Sequence, residues 1–89
     1  MKTIQLIIKG KVQGVFFRAT AKDIADGLGV KGWVRNLPDR NVEIRATATE
    51  ALLQKYIDWC KQGPPKAKVE DVTVEELVLE EFNSFKIIR

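Results

Sequence analysis

The 89-residue sequence contains no histidine and a single cysteine, Cys60. Without histidine there is no imidazole base, no Ser–His–Asp triad and no histidine metal ligand. One cysteine makes neither an internal disulfide nor a cysteine-cluster zinc site. Because Cys60 ends an apolar helical stretch, we predict a small buried hydrophobe, with a reactive thiol as the alternative. Any chemistry must therefore come from other side chains or from the backbone.

Long apolar segments and targeting signals are also missing. No apolar run approaches the roughly 18 residues of a transmembrane helix. Residues 1–9 lack the apolar centre and small-residue cleavage site of a signal peptide. We therefore expect a cytoplasmic protein that does not associate with membranes. Since 89 residues suffice for one domain only, we expect a single domain over 1–89, with no room for a Rossmann-type fold and no cofactor.

Charge is unevenly distributed along the chain. Residues 1–68 contain 13 Lys and Arg against 6 Asp and Glu, a net charge of +7. Residues 69–89 contain 2 against 6, a net charge of −4. A basic region suits an anionic partner, either a nucleic acid or a phosphorylated small molecule. A mixed, solvated surface is the alternative, and charge alone does not separate these interpretations.

Apolar residues in the first third of the chain follow a strand period and then a helix period. Ile4, Leu6 and Ile8 alternate with polar residues, which predicts a strand with one buried face. Gly27 and Gly29 mark the end of a helix that follows. The stripe of this amphipathic helix recurs at three- and four-residue spacings and consists of Phe17, Ala21, Ile24 and Leu28.

The remaining segments predict a hairpin, a second helix and two further strands. The strands are expected over Val30–Asn36, Val42–Thr47, Val69–Leu79 and Phe85–Ile88. A turn over Leu37–Asn41 joins the hairpin, a helix begins after Thr49 and stops at Gly63, and alternation slips near Glu75-Glu76. The order predicts an α+β fold, the ferredoxin-like split β-α-β sandwich. This fold has an antiparallel sheet, two helices on one face and a short extra C-terminal strand.

The segment between the first strand and the first helix is the most informative. Residues 10–18 read Gly-Lys-Val-Gln-Gly-Val-Phe-Phe-Arg. Its glycines permit a tight turn and close approach of a ligand, and successive amides with a helix N-terminus attract an anion. The planar fork of Arg18 can bind two phosphate or carboxylate oxygens. The segment therefore suggests a phosphate cradle, the alternative being a purely structural turn with Arg18 on the surface.

A second segment, Gly32-Trp33-Val34-Arg35-Asn36, ends a strand beside the hairpin turn. The amide of Asn36 can hold a water through its oxygen and a substrate oxygen through its nitrogen. Taken alone, an Asx turn in which this side chain only organises Leu37–Asp39 is the simpler explanation.

Together the two segments resemble the acylphosphatase family. Residues 10–18 match the family's loop motif, Gly-x-Val-Gln-Gly-Val-x-Phe-Arg, at every specified position. Residues 32–36 match the start of its second motif, Gly-aromatic-Val-Arg-Asn. The resemblance continues through Gly63-Pro64-Pro65-x-Ala67-x-Val69 and Phe85-x-Ile87, so it covers nearly the whole chain. It implies the same β-α-β-β-α-β fold.

The resemblance implies an enzyme that hydrolyses an acyl phosphate to a carboxylate and inorganic phosphate, without a metal. It implies that Arg18 and the loop amides bind the phosphoryl oxygens, and that Asn36 orients the attacking water. The loop residues are Gln13, Gly14, Val15, Phe16, Phe17 and Arg18. These roles agree with a loose transition state whose charge needs mainly fixed donors. No obvious base lies near either motif, so a phosphate oxygen of the substrate is the expected proton acceptor.

Two residues depart from the family pattern. Arg40 in the hairpin turn and Ala48 stand where the family usually has glycine. We expect Asn41 to take over the left-handed conformation from the missing glycine. A change in hairpin shape would affect Asn36, where the hairpin begins, and with it catalytic efficiency.

Several residues outside the two motifs, and two other classes of function, also bear on the site. Phe16 is expected to face the substrate and Trp33 to pack on the sheet, while Lys9 and Lys11 attract anions from a distance. RNA binding would need paired aromatics on the central strands, which residues 4–8 and 42–47 lack. A non-catalytic anion-binding or regulatory module using the same cradle is the main alternative. We expect no nucleic-acid partner, and a monomer.

Overall fold

The computed structural model describes residues 1–88, which form five strands and two helices. The elements are β1 (Lys2–Lys11), α1 (Phe17–Leu28), β2 (Lys31–Asn36), β3 (Val42–Ala48), α2 (Glu50–Gln62), β4 (Lys68–Leu77) and β5 (Phe85–Ile87). This confirms the predicted β-α-β-β-α-β order with a short closing strand. The fourth strand ends at Leu77 rather than at Leu79.

The sheet is mixed, which corrects the expectation of an antiparallel sheet. Its strand order is β4-β1-β3-β2-β5. Antiparallel ladders join β4 to β1, β1 to β3 and β3 to β2, whereas β5 pairs with β2 in parallel. The cause is topological. The chain runs down β4 at one edge and returns in the direction of β1 and β2, so its last strand joins the outer side of β2 in parallel.

One face of the sheet carries the hydrophobic core and both helices. Ile4, Leu6 and Ile8 alternate on β1 and are at most 6% exposed. Burial of each stabilises the fold by about 1.5–3 kcal/mol. The helices meet each other over this face, where the Tyr56 hydroxyl of α2 donates to the Ala21 carbonyl oxygen of α1 at 3.0 Å. The predicted placement of two helices on one face is confirmed.

The helix ends follow the predicted turn chemistry. Helix α1 stops at Gly29, whose left-handed conformation lets its amide reach the carbonyls of the last turn. Helix α2 begins after Thr49, whose hydroxyl accepts from the Leu52 amide at 3.3 Å. Within residues 1–88, neither helix is long and apolar enough to cross a membrane.

Cys60 lies near the end of α2, fully buried in the core. Burial raises the pKa of its thiol far above the usual value because the thiolate would lose its hydration. The interpretation as a small hydrophobe is confirmed.

The irregularity in the pairing of β1 and β4 lies at Gly10, not near Glu75-Glu76 as predicted. The register shifts after Lys9, so that Glu70 is an extra residue on β4. Gly10 has a φ of 127°, and a Cβ atom there would lie 2.1 Å from the Lys68 carbonyl oxygen. Only glycine fits this bulge. Near Glu75 the alternation of apolar and polar residues is lost because β4 is an exposed edge strand. The pairing of β4 with β1 continues there without a break.

The opposite face of the sheet is polar. Buried Thr3 and Thr47 share a hydrogen bond of 2.6 Å across β1 and β3. The Glu80 carbonyl oxygen accepts from both hydroxyls, at 3.2 and 2.7 Å, which ties the segment after β4 to this face. Trp33 lies on the same face, 5.3 Å from the guanidinium carbons of Arg35 and Arg45. Trp33 therefore packs on the sheet, as expected.

Candidate active site

The sheet order brings the two informative segments together. Strands β1 and β2 both flank β3 and both run antiparallel to it, so they end at the same edge of the sheet. The loop of residues 12–16 follows β1, and Asn36 is the last residue of β2. Both segments line one cleft of about 400 Å³. The residues lining it are Val12, Gln13, Gly14, Phe16, Phe17, Arg18, Ala19, Asn36 and Ile87.

The N-terminus of α1 opens into this cleft without a capping side chain. Phe16 occupies the N-cap position in the left-handed conformation, with φ 63° and ψ 23°, and the first turn contains no acidic residue. Helix α2, by contrast, has the hydroxyl of Thr49 as its cap and Glu50 in its first turn. The first amides of α1 therefore retain their hydrogen-bonding capacity, and its dipole favours an anion in the cleft.

Arg18, the second residue of α1, lines the cleft beside these amides. Its side chain is half-buried. Among residues 1–88 the guanidinium has no ion-pair partner; the ion pairs of the chain involve Lys2, Lys22, Arg35 and Arg45 instead. Its paired donors are thus available to a ligand with two oxygens. The sequence placed this residue correctly in the first turn of the helix.

Asn36 contributes a hydrogen-bond acceptor. Its Oδ1 atom is buried and has no hydrogen-bond partner among the described residues. An unsatisfied buried acceptor costs about 1–3 kcal/mol. Because Asn36 lines the cleft, turning its carboxamide toward the cleft would let this oxygen accept from a bound water. The Asx turn belongs to Asp39, whose carboxylate accepts from the Asn41 amide at 3.1 Å. The structural explanation of Asn36 from the sequence is therefore wrong.

The side chain of Gln13 joins the loop to the hairpin. Its Nε2 atom donates to the Leu37 carbonyl oxygen at 2.9 Å and to the Asn41 carbonyl oxygen at 2.8 Å. These two carbonyls also accept the turn's own hydrogen bonds, from the Arg40 and Leu37 amides. We call this pair of side-chain bonds the Gln13 clamp. The sequence suggested only a backbone role for Gln13, because nothing in it reveals a contact between residues so far apart.

The loop residues divide between cleft and core. Phe16 is 75% exposed and lines the cleft, and its contact with a substrate stays a prediction. Phe17 is buried, with its ring centroid 5.3 Å from that of Trp59, so its ring belongs to the core. Val15 is also buried and does not line the cleft. Any role of Val15 in binding must therefore come from its backbone.

The hairpin turn corrects the expectation for Asn41. Arg40 adopts the left-handed conformation, with φ 75°, and Asn41 does not. Asn41 is fixed instead by Asp39 and by the Gln13 clamp, immediately before β3 begins. Ala48 is an ordinary buried strand residue paired with Lys2, at the opposite end of β3 from Asn36. Its side chain therefore does not alter the hairpin at the site.

Within residues 1–88, no group of three or more Cys, Asp or Glu side chains lies close enough to hold a metal ion. The polar groups of the lining residues are backbone amides, the guanidinium of Arg18 and the carboxamides of Gln13 and Asn36, of which Gln13 is engaged in its clamp. Together these can hold a tetrahedral anion and a water molecule.

Comparisons with known proteins agree with this geometry. The sequence profile of the acylphosphatase family matches residues 4–87. An acylphosphatase of Acaryochloris marina is 48% identical over 97% of this chain and 92% of its own. The crystal structure of a Bacillus subtilis acylphosphatase is 39% identical and covers 100% of both chains with a TM-score of 0.97. The structure of a Coxiella burnetii acylphosphatase is 37% identical, with a TM-score of 0.94 over 98% of this chain and 92% of its own.

The Gln13 clamp predicts a measurable contribution to stability. Replacing Gln13→Ala removes two hydrogen bonds to carbonyls that each keep one backbone donor. At about 0.5–1.5 kcal/mol per bond, we expect the free energy of unfolding to fall by about 1–3 kcal/mol. Equilibrium denaturant unfolding measures this change. Gln54→Ala is the matched control, because the Gln54 amide donates only to Asp58 on the exposed side of α2. Equal effects of the two substitutions would contradict the clamp.

Proposed function

The chain belongs to the acylphosphatase family, and we propose that it hydrolyses acyl phosphates on Arg18, Asn36 and the amides of the loop over residues 13–18. The products are a carboxylate and inorganic phosphate. The observation that carries this proposal is the convergence of three groups in one cleft. These are the uncapped N-terminus of α1, a guanidinium with no ion-pair partner and a buried amide oxygen with no partner.

The phosphoryl group is bound by donors that are already in place. Phosphoryl transfer passes through a loose transition state with charge on the equatorial oxygens. Arg18 supplies two parallel N–H groups, and the first amides of α1 supply the positive end of the helix dipole. Such fixed donors stabilise developing charge without reorganising during the reaction. The absence of an acid from the first turn keeps this end of the helix favourable to an anion.

Asn36 orients the nucleophile. A water that donates one hydrogen to the unpartnered Oδ1 atom keeps a lone pair free to attack phosphorus. The backbone of Asn36 is fixed by its pairing with Val42, and the adjoining turn is held by the Gln13 clamp. The position of the water relative to the phosphoryl group is therefore set by two strands and one loop.

The reaction needs neither a strong general acid nor a protein base. The oxygen of water forms a bond to phosphorus as the bond from phosphorus to the acyl oxygen breaks, and the electron pair leaves with the carboxylate. Among residues 1–88, those lining the cleft include no Asp, Glu, Lys, Cys or Tyr, and arginine is not a proton acceptor. The proton of the water therefore passes to a phosphate oxygen of the substrate.

The buried oxygen of Asn36 favours an enzyme over an anion-binding module. A phosphate ion presents mainly acceptor oxygens to its site, so a pure binding site gains nothing from another acceptor. An acceptor is useful where a water must be held beside the anion. We further propose that the protein acts in the cytoplasm, and that it acts as a monomer, since one chain supplies every group that the proposed reaction uses.

Substitution of the two cleft side chains tests the proposal. With benzoyl phosphate and excess chelator, we expect kcat/KM to fall about 10²–10³-fold in Arg18→Ala and in Asn36→Ala. Lys22→Ala, one turn further along α1, and Asn83→Ala, outside the cleft, are matched controls that should retain wild-type rates. Near-wild-type turnover by either folded cleft variant would refute its assigned role. Phosphate binding by the wild type without product release would establish the binding module instead.

The pH dependence tests the proton acceptor. Because no enzyme base participates, we expect kcat at saturating substrate to be flat across the neutral range, apart from ionisation of the substrate's own phosphate. Steady-state rates across this range, compared with the titration of the substrate alone, provide the measurement. An additional ionisation that belongs to the enzyme–substrate complex would show that a protein group takes the proton.

A further inference from the structure

A second hollow adjoins the catalytic cleft on the other side of the loop. It has a volume of about 610 Å³ and is open to solvent. It shares Val12, Gln13 and Gly14 with the cleft, so the two spaces are adjacent at this loop. Its remaining lining residues are Gly10, Lys11 and Arg40. We call it the basic hollow.

Two cations of the basic hollow have no ion-pair partner. Lys11 and Arg40 are exposed, and neither is in an ion pair among residues 1–88. The nearest acid along the chain, Asp39, is occupied by the backbone and side-chain amides of Asn41. Glu70 lies beside Gly10 without pairing with either cation. Both carboxylates keep their negative charge, but neither pairs with Lys11 or Arg40 among the described residues, so the two cations are available to an anion.

Arg40 carries its positive charge at a position where the backbone conformation disfavours any residue but glycine. Arg40 has φ 75°, a left-handed conformation that costs a residue with a Cβ atom about 1–2 kcal/mol and costs glycine nothing. Its amide is fixed by the Leu37 carbonyl oxygen, which also accepts from the Gln13 clamp. The turn that carries Arg40 is therefore held in place against the loop that contains Gln13.

We propose that Arg40 and Lys11 form a subsite for an anionic group on the acyl portion of the substrate. The inference rests on the proposed function, since it assigns the phosphoryl group to the cleft of Arg18 and Asn36. The acyl chain then crosses the loop at Val12–Gly14 and places its own carboxylate or second phosphate in the basic hollow. Acyl phosphates with a charged acyl group are the favoured class over neutral ones of the same length.

A comparison of two substrates tests the subsite. Succinyl phosphate has a carboxylate at the end of its acyl chain, and butyryl phosphate is an uncharged analogue of the same length. The measured quantity is the ratio of their kcat/KM values. In Arg40→Gly, whose backbone conformation is relieved rather than strained, we expect this ratio to fall about two- to fivefold, as for one exposed charge pair. Arg40→Lys retains the charge and should retain the ratio.

A matched charge removal separates the subsite from long-range attraction. Lys55→Gln removes one positive charge from the exposed side of α2, outside the cleft and the basic hollow. The subsite predicts no change in the ratio for this variant. An unchanged ratio in Arg40→Gly, or an equal fall in Lys55→Gln, would overturn the subsite while leaving the proposed hydrolysis intact. Absence of wild-type turnover with both substrates would overturn the proposed function, and the subsite with it.

Discussion

Two hydrogen bonds from one carboxamide determine the arrangement of this site. The Gln13 clamp fastens the loop after β1 to the turn after β2, across the width of β3. Arg18 follows the first segment and Asn36 precedes the second, so the clamp fixes the distance between the two groups that act on the substrate. It also holds the turn that carries Arg40, and so fixes the position of the basic hollow relative to the catalytic cleft.

The N-termini of the two helices differ in the groups that usually stabilise a helix end. Helix α2 has a hydroxyl cap and a first-turn acid, both of which stabilise a helix. Helix α1 has neither, and its N-cap residue, Phe16, is in a left-handed conformation that is unfavourable for an aromatic residue. Unfavourable conformations of this kind cluster at functional sites. An anion bound at the N-terminus of α1 would supply the interactions that the missing cap leaves out.

The sequence predicts what depends on local pattern and misses what depends on contacts between distant residues. The alternation of Ile4, Leu6 and Ile8 and the first-turn position of Arg18 are local, and both are confirmed. The parallel pairing of β5, the Gly10 bulge and the side-chain bonds of Gln13 each depend on a segment far away in the chain. The sequence predicts the left-handed conformation at Asn41 because Asn tolerates it better than Arg. The structure has it at Arg40 instead, since Asn41 is held by a side-chain bond from Gln13 that the sequence does not reveal.

The central claim is that an anion binds at the N-terminus of α1 and not at that of α2. Titration of the ¹⁵N-labelled protein with inorganic phosphate tests it directly through the backbone amide shifts. The account predicts large, saturable shifts for the amides over residues 14–19 and for the Asn36 side chain, with no shift at Leu52, whose amide is already bonded to Thr49. Shifts centred on α2, or none in the loop at saturating phosphate, would contradict it.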